Sequence, residues 1–320
     1  MKTPMNNTSR RKFIAGTGLL LMGTALGLDA AEISKRKQEK IIDIHQHTHY
    51  HGRTDAQMLA HQRTMGATTT ILLPAGHRVI SASTHNGMSN GLQAKVTGND
   101  AAYTFSQSHP KEFLFGSNEV PDVPKAIEEI EKYLKLGAVM IGESKFGVDC
   151  DSPEMQRIYE LAQSYNVPIL MHWKYKVYNY GFERFHTMLE KYPKVNFIGH
   201  AQTWWANIDK NHTDQTIMYP KTKVTPGGLT DRLLSDYPNM YGDFSGGSGL
   251  NSLTRDEDHA RGFIERHQDK LLFGSDCADT TGLLADCDGA RIIASIRKLS
   301  PNKKVERKIL YGNAKKLLRL

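Results

Sequence analysis

The chain has 320 residues, with 41 lysines and arginines against 34 aspartates and glutamates, a formal net charge of +7 and 39% apolar residues. These fractions are ordinary for a globular protein and exclude a disordered or collagen-like chain. Three cysteines allow at most one internal disulfide, so a disulfide-stapled fold is excluded as well. Lysine and arginine form no run dense enough for a nucleic-acid interface, and we expect no nucleic-acid partner.

The first 31 residues combine a positive flank, an apolar stretch and small residues, which are the parts of a signal peptide. Arg10 and Arg11, followed by Phe13 and Ile14, resemble the twin-arginine export signal. The alternative is a single membrane anchor, but the apolar stretch is short and contains four glycines. We therefore expect residues 1–31 to be an export signal, the protein to be periplasmic or otherwise exported, and no stable membrane insertion after cleavage.

From residue 40 onward, eight short apolar runs alternate with amphipathic segments. The runs are Ile41–His47, Ala67–Pro74, Phe113–Asn118, Ala138–Glu143, Val167–His172, Val195–His200, Met240–Phe244 and Leu271–Asp276. Such runs are typical of strands buried on both faces and joined by crossover helices, for which Val123–Leu136 and Pro153–Ser164 are examples. No glycine-rich phosphate loop follows the first run, which disfavours an open doubly wound sheet. The sequence predicts a single α/β domain over residues 40–320, an eight-stranded (β/α)8 TIM barrel.

Two connections are longer than such units need, and both follow predicted strands. They are Ala75–Gly98 and Ala201–Gly228. Both would lie at the carboxyl-terminal face of the barrel, where active sites are built. The segment from Ser300 to Leu320 is expected to form helices outside the barrel.

Potential metal ligands stand at the ends of five of the runs. They are His45 and His47, Glu143, His172, His200 and Asp276. Because parallel strands of a barrel deliver their carboxyl ends to one face, these side chains are expected to converge there. Imidazoles and carboxylates in one place make a site for one or two divalent cations. Zinc suits histidine-rich ligation, and manganese is the alternative.

This order of ligands resembles the amidohydrolase superfamily of metal-dependent TIM barrels. The resemblance covers roughly residues 40–320, and the closing Gly312-Asn313-Ala314 is similar to the end of the amidohydrolase-related (amidohydrolase 2) branch. A glutamate on the fourth strand resembles the TatD-type deoxyribonucleases. The resemblance leaves Glu143 open as a bridge between two ions, a ligand to one, or a residue behind the ligands.

The resemblance implies hydrolysis by a water molecule that the metal activates. With two ions, His45, His47 and Asp276 hold one, His172 and His200 hold the other, and Glu143 bridges. Asp276 would then be ligand and proton acceptor at once. With one ion, His200 would instead polarise the substrate or orient the water, so Asp276 and His200 are the expected catalytic residues.

The substrate is expected to be a small lactone, amide or ester. Lys145, Lys174 and Lys176 follow ligand-bearing strands, and they and Trp204 are the candidate substrate contacts; the alternative is that the lysines are solvated loop residues and the tryptophan packs a lid. Three other functions stay open: a metal-dependent decarboxylase or lyase, a TatD-like phosphoesterase, and a non-catalytic metal- or solute-binding barrel.

Overall fold

The structure is a computed structural model that describes residues 39–84 and 95–320. The expected export signal at residues 1–31 lies outside these ranges, as do ten residues of the first long connection. The strands are β1 (Ile42–Gln46), β2 (Thr69–Leu72), β3 (Phe113–Phe115), β4 (Ile141–Ser144), β5 (Ile169–His172), β6 (Phe197–His200), β7 (Met240–Asp243) and β8 (Leu271–Leu272). None of the helices in the described ranges combines the length and the apolar character that a bilayer crossing needs.

Helices follow every strand. They are α1 (Asp55–Met65), α2 (Asn99–Ser108), α3 (Ala126–Lys135), α4 (Pro153–Tyr165), α5 (His186–Lys191), α6 (Gln202–Ala206), α7 (Leu229–Asp236), α8 (Gly246–Thr254), α9 (Glu257–His267), α10 (Asp288–Leu299), α11 (Lys303–Arg307) and α12 (Asn313–Leu318). α4 shows why these segments are helical. Ser152 caps it by accepting a hydrogen bond from the backbone N–H of Met155, and Pro153 occupies the first turn, where its missing N–H costs nothing.

The strands are parallel and close into a barrel. β1–β3 form one hydrogen-bonded sheet and β4–β8 another, each in chain order. A parallel bridge between Ser117 and Ile141 joins β3 to β4. On the other side, the N–H of Ile44 donates to the carbonyl of Phe273 at 3.1 Å, which joins β8 to β1. The predicted (β/α)8 TIM barrel is confirmed.

Several strands are shorter than the apolar runs that predicted them. β8 ends at Leu272, so Asp276 does not lie at a strand end as expected but in the loop beyond it. There Asp276 adopts the left-handed conformation with φ 45°, and its N–H donates to the carbonyl of His45 at 2.8 Å. That bond holds the loop against β1 and compensates for the early end of the strand.

Alternation along the strands sorts the apolar side chains into two cores. One set fills the barrel and the other packs between the strands and the helices. The inner set includes Ile42, Ile44, Ile71, Leu73, Met140, Leu170, Ile198 and Leu272. Neighbours in sequence such as Ile169, Met171 and Phe197 belong to the outer set.

The last helix closes one end of the barrel. Ala314, Leu317 and Leu318 of α12 pack against the inner core. The side-chain amide of Asn313 donates to the carbonyl of Leu271 at 2.8 Å, which ties α12 to the start of β8. The expected helices after residue 300 are present, and α12 covers the end of the barrel opposite to the carboxyl ends of the strands.

We expect Leu170→Ala to lower the free energy of unfolding by about 2–5 kcal/mol, because Leu170 is fully buried in the inner core and its truncation leaves a cavity. Leu284→Ala is the matched control, since this leucine is 59% exposed and its loss should cost less than about 0.5 kcal/mol. Denaturant unfolding of both variants measures the difference. Equal effects would contradict the assignment of Leu170 to the barrel core.

Candidate metal centre

The structure brings the six predicted ligands together at the carboxyl ends of the strands. His45, Glu143, His172 and His200 lie within β1, β4, β5 and β6, His47 directly follows β1, and Asp276 lies in the loop after β8. The side chains of the five residues other than Asp276 are at most 5% exposed, and that of Asp276 is 15% exposed. Chain positions more than 200 residues apart thus meet in a small buried volume.

One half of the cluster is formed by His45, His47 and Glu143. The Nε2 atoms of the two histidines are 3.3 Å apart. Oε2 of Glu143 lies 3.6 Å from Nε2 of His45 and 3.5 Å from Nε2 of His47. Two ligand atoms bound to one tetrahedral ion at about 2.1 Å are separated by about 3.4 Å, so these three atoms match a common ion.

The other half uses the second oxygen of the same glutamate. Oε1 of Glu143 contacts Nδ1 of His172 and lies 3.4 Å from Nε2 of His200. Glu143 therefore stands between two histidine pairs and presents one oxygen to each.

Asp276 faces both halves. Its Oδ1 lies 3.4 Å from Nε2 of His47 and 3.8 Å from Nε2 of His45, and its Oδ2 lies 3.8 Å from Nε2 of His200. Tyr50 lies beside this carboxylate, and its ring packs edge-on against His47 with the ring centroids 5.0 Å apart. Two buried carboxylates close by, Asp276 first, together with burial raise the pKa of the Tyr50 hydroxyl, which keeps it a donor.

Three of the histidines are oriented by partners on their Nδ1 atoms. Nδ1 of His47 lies 2.7 Å from the carbonyl of Leu73, and Nδ1 of His45 lies 2.8 Å from Oδ2 of Asp243. Nδ1 of His200 lies 2.8 Å from Oγ of Ser245. These contacts leave each Nε2 facing the centre, as hydrogen bonds behind metal ligands do.

Asp243 and Ser245, which the structure shows to be fully buried, were not predicted from the sequence. The hydroxyl of Ser245 donates to Oδ2 of Asp243 at 2.5 Å, which links the two residues behind the histidines. Asp243 ends β7, just as His172 and His200 end their strands. That position was a possible signal, but in sequence it does not distinguish Asp243 from an aspartate that starts a turn.

Charge is distributed unevenly over the cluster. Burial opposes ionisation of Glu143, but the positive charge of Lys145 and the interaction with His172 outweigh it and hold its pKa well below the usual range. Burial lowers the pKa of His172 to about 3, so this imidazole is neutral, the form that binds metals. Burial also disfavours a charged His45, but the carboxylates of Asp276 and Glu143 prevail and raise its pKa.

The donor set fits a divalent cation. Oε2 of Glu143, Oδ1 of Asp276 and Nε2 of His172 are buried and have no hydrogen-bond partner within the part of the chain that the structure describes. Unpaired polar atoms in a protein interior are costly, and carboxylates are especially so. A cation among nitrogen and oxygen donors of this kind would compensate for the missing partners.

Among the predicted substrate contacts, Lys145 interacts electrostatically with the metal centre. Its ammonium lowers the pKa of both Glu143 and His172. Burial, followed by the charges of Lys145 and Lys95, lowers the pKa of Lys174. Lys95 was not predicted from the sequence as a member of the site.

Lys176 is exposed and lies beside Tyr175, with its Nζ 5.2 Å from the ring centroid. With Lys174 and Arg184 it lines a cavity of about 620 Å³.

The expectation that Trp204 contacts substrate is corrected by its position. The side chain is fully buried in the outer core, and its ring packs 5.8 Å from that of Phe182. The indole also covers Gly199, where a Cβ atom would come within 2.4 Å of it. Trp204 is therefore a packing residue behind β6, and only the glycine leaves room for it.

We expect Asp243→Asn to weaken metal binding about 10–100-fold, because the carboxylate that orients His45, and whose Oδ2 also lies 3.3 Å from Nδ1 of His200, is replaced by a neutral amide. Titration of metal-stripped protein with Zn²⁺ against a competing chelator measures this. Asp209→Asn is the matched control, since Asp209 is also buried but accepts from the backbone N–H groups of Asn211 and Thr225. Equal affinities of the two variants would contradict the orienting role of Asp243.

Solved structures with the same fold include enzymes of two reaction types. A probable 2-pyrone-4,6-dicarboxylic acid hydrolase from Acinetobacter baumannii, with citric acid bound, has a TM-score of 0.56 at 15% identity and covers 88% of this chain and 99% of its own. A 2,6-dihydroxybenzoate decarboxylase from Rhizobium has a TM-score of 0.55 at 14% identity, with coverage of 88% and 99%. A dihydroxybenzoic acid decarboxylase from Polaromonas sp. JS666, with manganese and 2-nitroresorcinol bound, has a TM-score of 0.56 at 15% identity, with coverage of 88% and 97%.

At these identities the likeness shows the fold alone. No curated protein matches the chain. The model of an amidohydrolase family, amidohydrolase 2, matches residues 42–320, which is most of the chain and all eight strands. The barrel, its buried ligand cluster and this match lead to one conclusion: the chain belongs to the amidohydrolase 2 family.

Proposed function

We propose that the protein is a metal-dependent hydrolase that acts on a small ester, lactone or amide bearing a carboxylate. The observation that carries the proposal is the position of Glu143, whose two oxygens face different histidine pairs. This supports two cations, one of which His45, His47 and Asp276 would hold and the other His172 and His200, with Glu143 offering one oxygen to each. We propose zinc because most of the donors are imidazoles, with manganese as the alternative.

Bound cations of this kind supply Lewis acidity, which polarises a scissile carbonyl and lowers the pKa of a water molecule, so that the water can lose a proton as it attacks. The chain's own part is proton transfer. Oδ1 of Asp276 is buried without a hydrogen-bond partner among the described residues, and it would take the proton of the attacking water and return it to the leaving group. Burial opposes the negative charge of Asp276, but His45 and His47 outweigh it and lower its pKa, so Asp276 begins the cycle ionised.

Tyr50, which packs against His47, would donate its hydroxyl to this carboxylate and keep it in place. His200, fixed on Nδ1 by Ser245, presents Nε2 to the same space and would orient the water or the carbonyl. Lys145, supported by Lys95 and Lys174, gives the opening of the site a positive field, which favours a substrate with a carboxylate.

A metal-dependent decarboxylase is the second candidate. The compactness of the cluster favours it, because Asp276 lies within 3.8 Å of ligand atoms in both halves and one ion could collect most of the donors. Two of the solved structures with this fold are decarboxylases. A TatD-like phosphoesterase and a non-catalytic binding barrel are further outcomes of the same tests.

The number of ions separates the candidates. We expect wild-type protein to hold two more ions per chain than the His45→Ala/His172→Ala double variant, which loses a ligand from each half of the cluster. Elemental mass spectrometry of both proteins gives the difference. A difference of one would favour the decarboxylase, and assays of lactones, amides, aromatic acids and a model phosphodiester would identify the reaction. Full metal occupancy with no turnover on that panel would contradict an enzymatic role.

We expect Asp276→Asn to lower kcat about 10²–10⁴-fold, because asparagine keeps an oxygen for the metal but cannot accept the proton. Metal content and the unfolding midpoint should stay near those of the wild type. Steady-state kinetics on the best substrate of the panel, with metal analysis of the same sample, measures both. Unchanged kcat would rule out Asp276 as the proton acceptor.

We expect Lys145→Ala to raise KM about 10-fold for a carboxylate substrate and to change KM little for its neutral amide analogue, because only the first loses a charge-assisted contact. Lys221→Ala, an exposed lysine in the second long connection, is the control. The ratio of the two KM values in each variant isolates the charge effect. An equal change for both analogues would contradict a carboxylate contact at Lys145.

A further inference from the structure

A second group of metal-ligand side chains lies between α1 and the loop that follows β8. It consists of His61, Cys277, Asp279 and Cys287, each with one potential ligand atom within 4.8 Å of all the others. His61 belongs to α1, Cys277 and Asp279 to the loop, and Cys287 caps the amino end of α10. None of the four is needed for the chemistry proposed above.

Three of the distances between the potential ligand atoms are 3.4 Å or shorter. Nε2 of His61 lies 3.0 Å from Oδ2 of Asp279 and 3.4 Å from Sγ of Cys287. The sulfurs of Cys277 and Cys287 are 3.0 Å apart. Ligand atoms around a four-coordinate zinc ion are separated by about 3.4–3.8 Å, so each of these three pairs would move apart by less than about 1 Å to bind one, and no other pair exceeds 4.8 Å.

The sulfurs are placed as thiolate ligands rather than as inert core thiols. Both cysteines are free, and their separation is well beyond the S–S bond length of about 2.05 Å. The backbone N–H of Gly289 donates to Sγ of Cys277 at 3.0 Å, and that of Ala290 donates to Sγ of Cys287 at 3.4 Å. These N–H groups belong to the first turn of the 12-residue helix α10, whose amino end favours negative charge.

The surroundings fit a bound cation. His61 and Cys287 are fully buried and Cys277 is 4% exposed. The buried Arg53 donates from its guanidinium to the carbonyl of Asp279 at 3.0 Å. With both thiols deprotonated, the two thiolates and the Asp279 carboxylate carry three negative charges, which a divalent cation and this guanidinium would neutralise.

The loop is also fitted closely to α1, which fixes the donors relative to one another. Gly282 has φ +68°, and a Cβ atom there would lie 2.4 Å from the carbonyl oxygen of His61. Oδ1 of Asp279 accepts from the N–H groups of Thr281 and Gly282 at 3.0 and 2.9 Å, which leaves Oδ2 turned toward His61. Hydrogen bonds within its own loop therefore position Asp279.

We propose that His61, Cys277, Asp279 and Cys287 bind one structural zinc ion that fastens the loop after β8 to α1. Binding releases the two thiol protons to solvent, and no oxidation is involved. Because Cys277 directly follows Asp276, the ion would also fix the backbone that carries the proposed proton acceptor. This site is separate from the histidine-rich centre, and zinc binding there does not depend on the proposed reaction.

Cobalt substitution tests the proposal. Cobalt(II) bound to thiolate gives an intense near-ultraviolet charge-transfer band, and none of the six ligands of the barrel centre is a cysteine. We expect this band in wild-type protein and in the His45→Ala/His172→Ala variant, which retains one ion per chain. We expect Cys287→Ser to lose the band and one equivalent of metal. Cys150→Ser is the matched control, a buried free cysteine outside the cluster, and should keep both.

A second measurement uses wild-type protein, so that it holds even if Cys287→Ser does not fold. We expect three titratable thiols per chain after unfolding in the presence of a chelator. We also expect one equivalent of zinc to be released when a mercurial reagent modifies the native thiols. A single titratable thiol would show a Cys277–Cys287 disulfide and would overturn the proposal. Three thiols with no zinc released, or a cobalt band that survives Cys287→Ser, would overturn it as well.

Discussion

Burying Glu143 and Asp276 together with four imidazoles costs electrostatic free energy, and the rest of the structure has to offset this cost. Two carboxylates so close together repel each other. Lys145 and His45 supply part of the missing positive charge, as the lowered pKa of Glu143 shows. The rest of the requirement is met most simply by divalent cations. The barrel, the hydrogen bonds behind the histidines and the loop after β8 all serve to hold this cluster in one geometry.

Much of the fold and of the centre could be predicted because both follow from periodicity. Apolar runs at regular intervals predict parallel strands, and parallel strands in a barrel bring their carboxyl ends to one face. Glu143, His172 and His200 were found for that reason, since each lies at or next to a strand end. Asp276 was predicted because it ends the apolar run Leu271–Asp276, although β8 itself ends four residues earlier and a loop carries the residue.

Other parts could not be predicted, for physical reasons. An aspartate that ends a strand, such as Asp243, looks the same in sequence as one that starts a turn. A tryptophan after a strand, such as Trp204, could line a substrate pocket or pack in the hydrophobic core. Only the contact between its indole and Gly199 in the structure shows that Trp204 packs in the core. The cluster of His61 and Cys287 joins residues more than 220 positions apart, so no local spacing indicates it.

The loop position of Asp276 has a consequence for the response of the protein to temperature. Four of its five partners in the centre lie within strands of the barrel, whereas this carboxylate depends on a loop. Loops open locally at a lower free-energy cost than the sheet that supports them. Warming should therefore displace the carboxylate while the barrel is still intact, so that inactivation precedes global melting and is reversed on cooling.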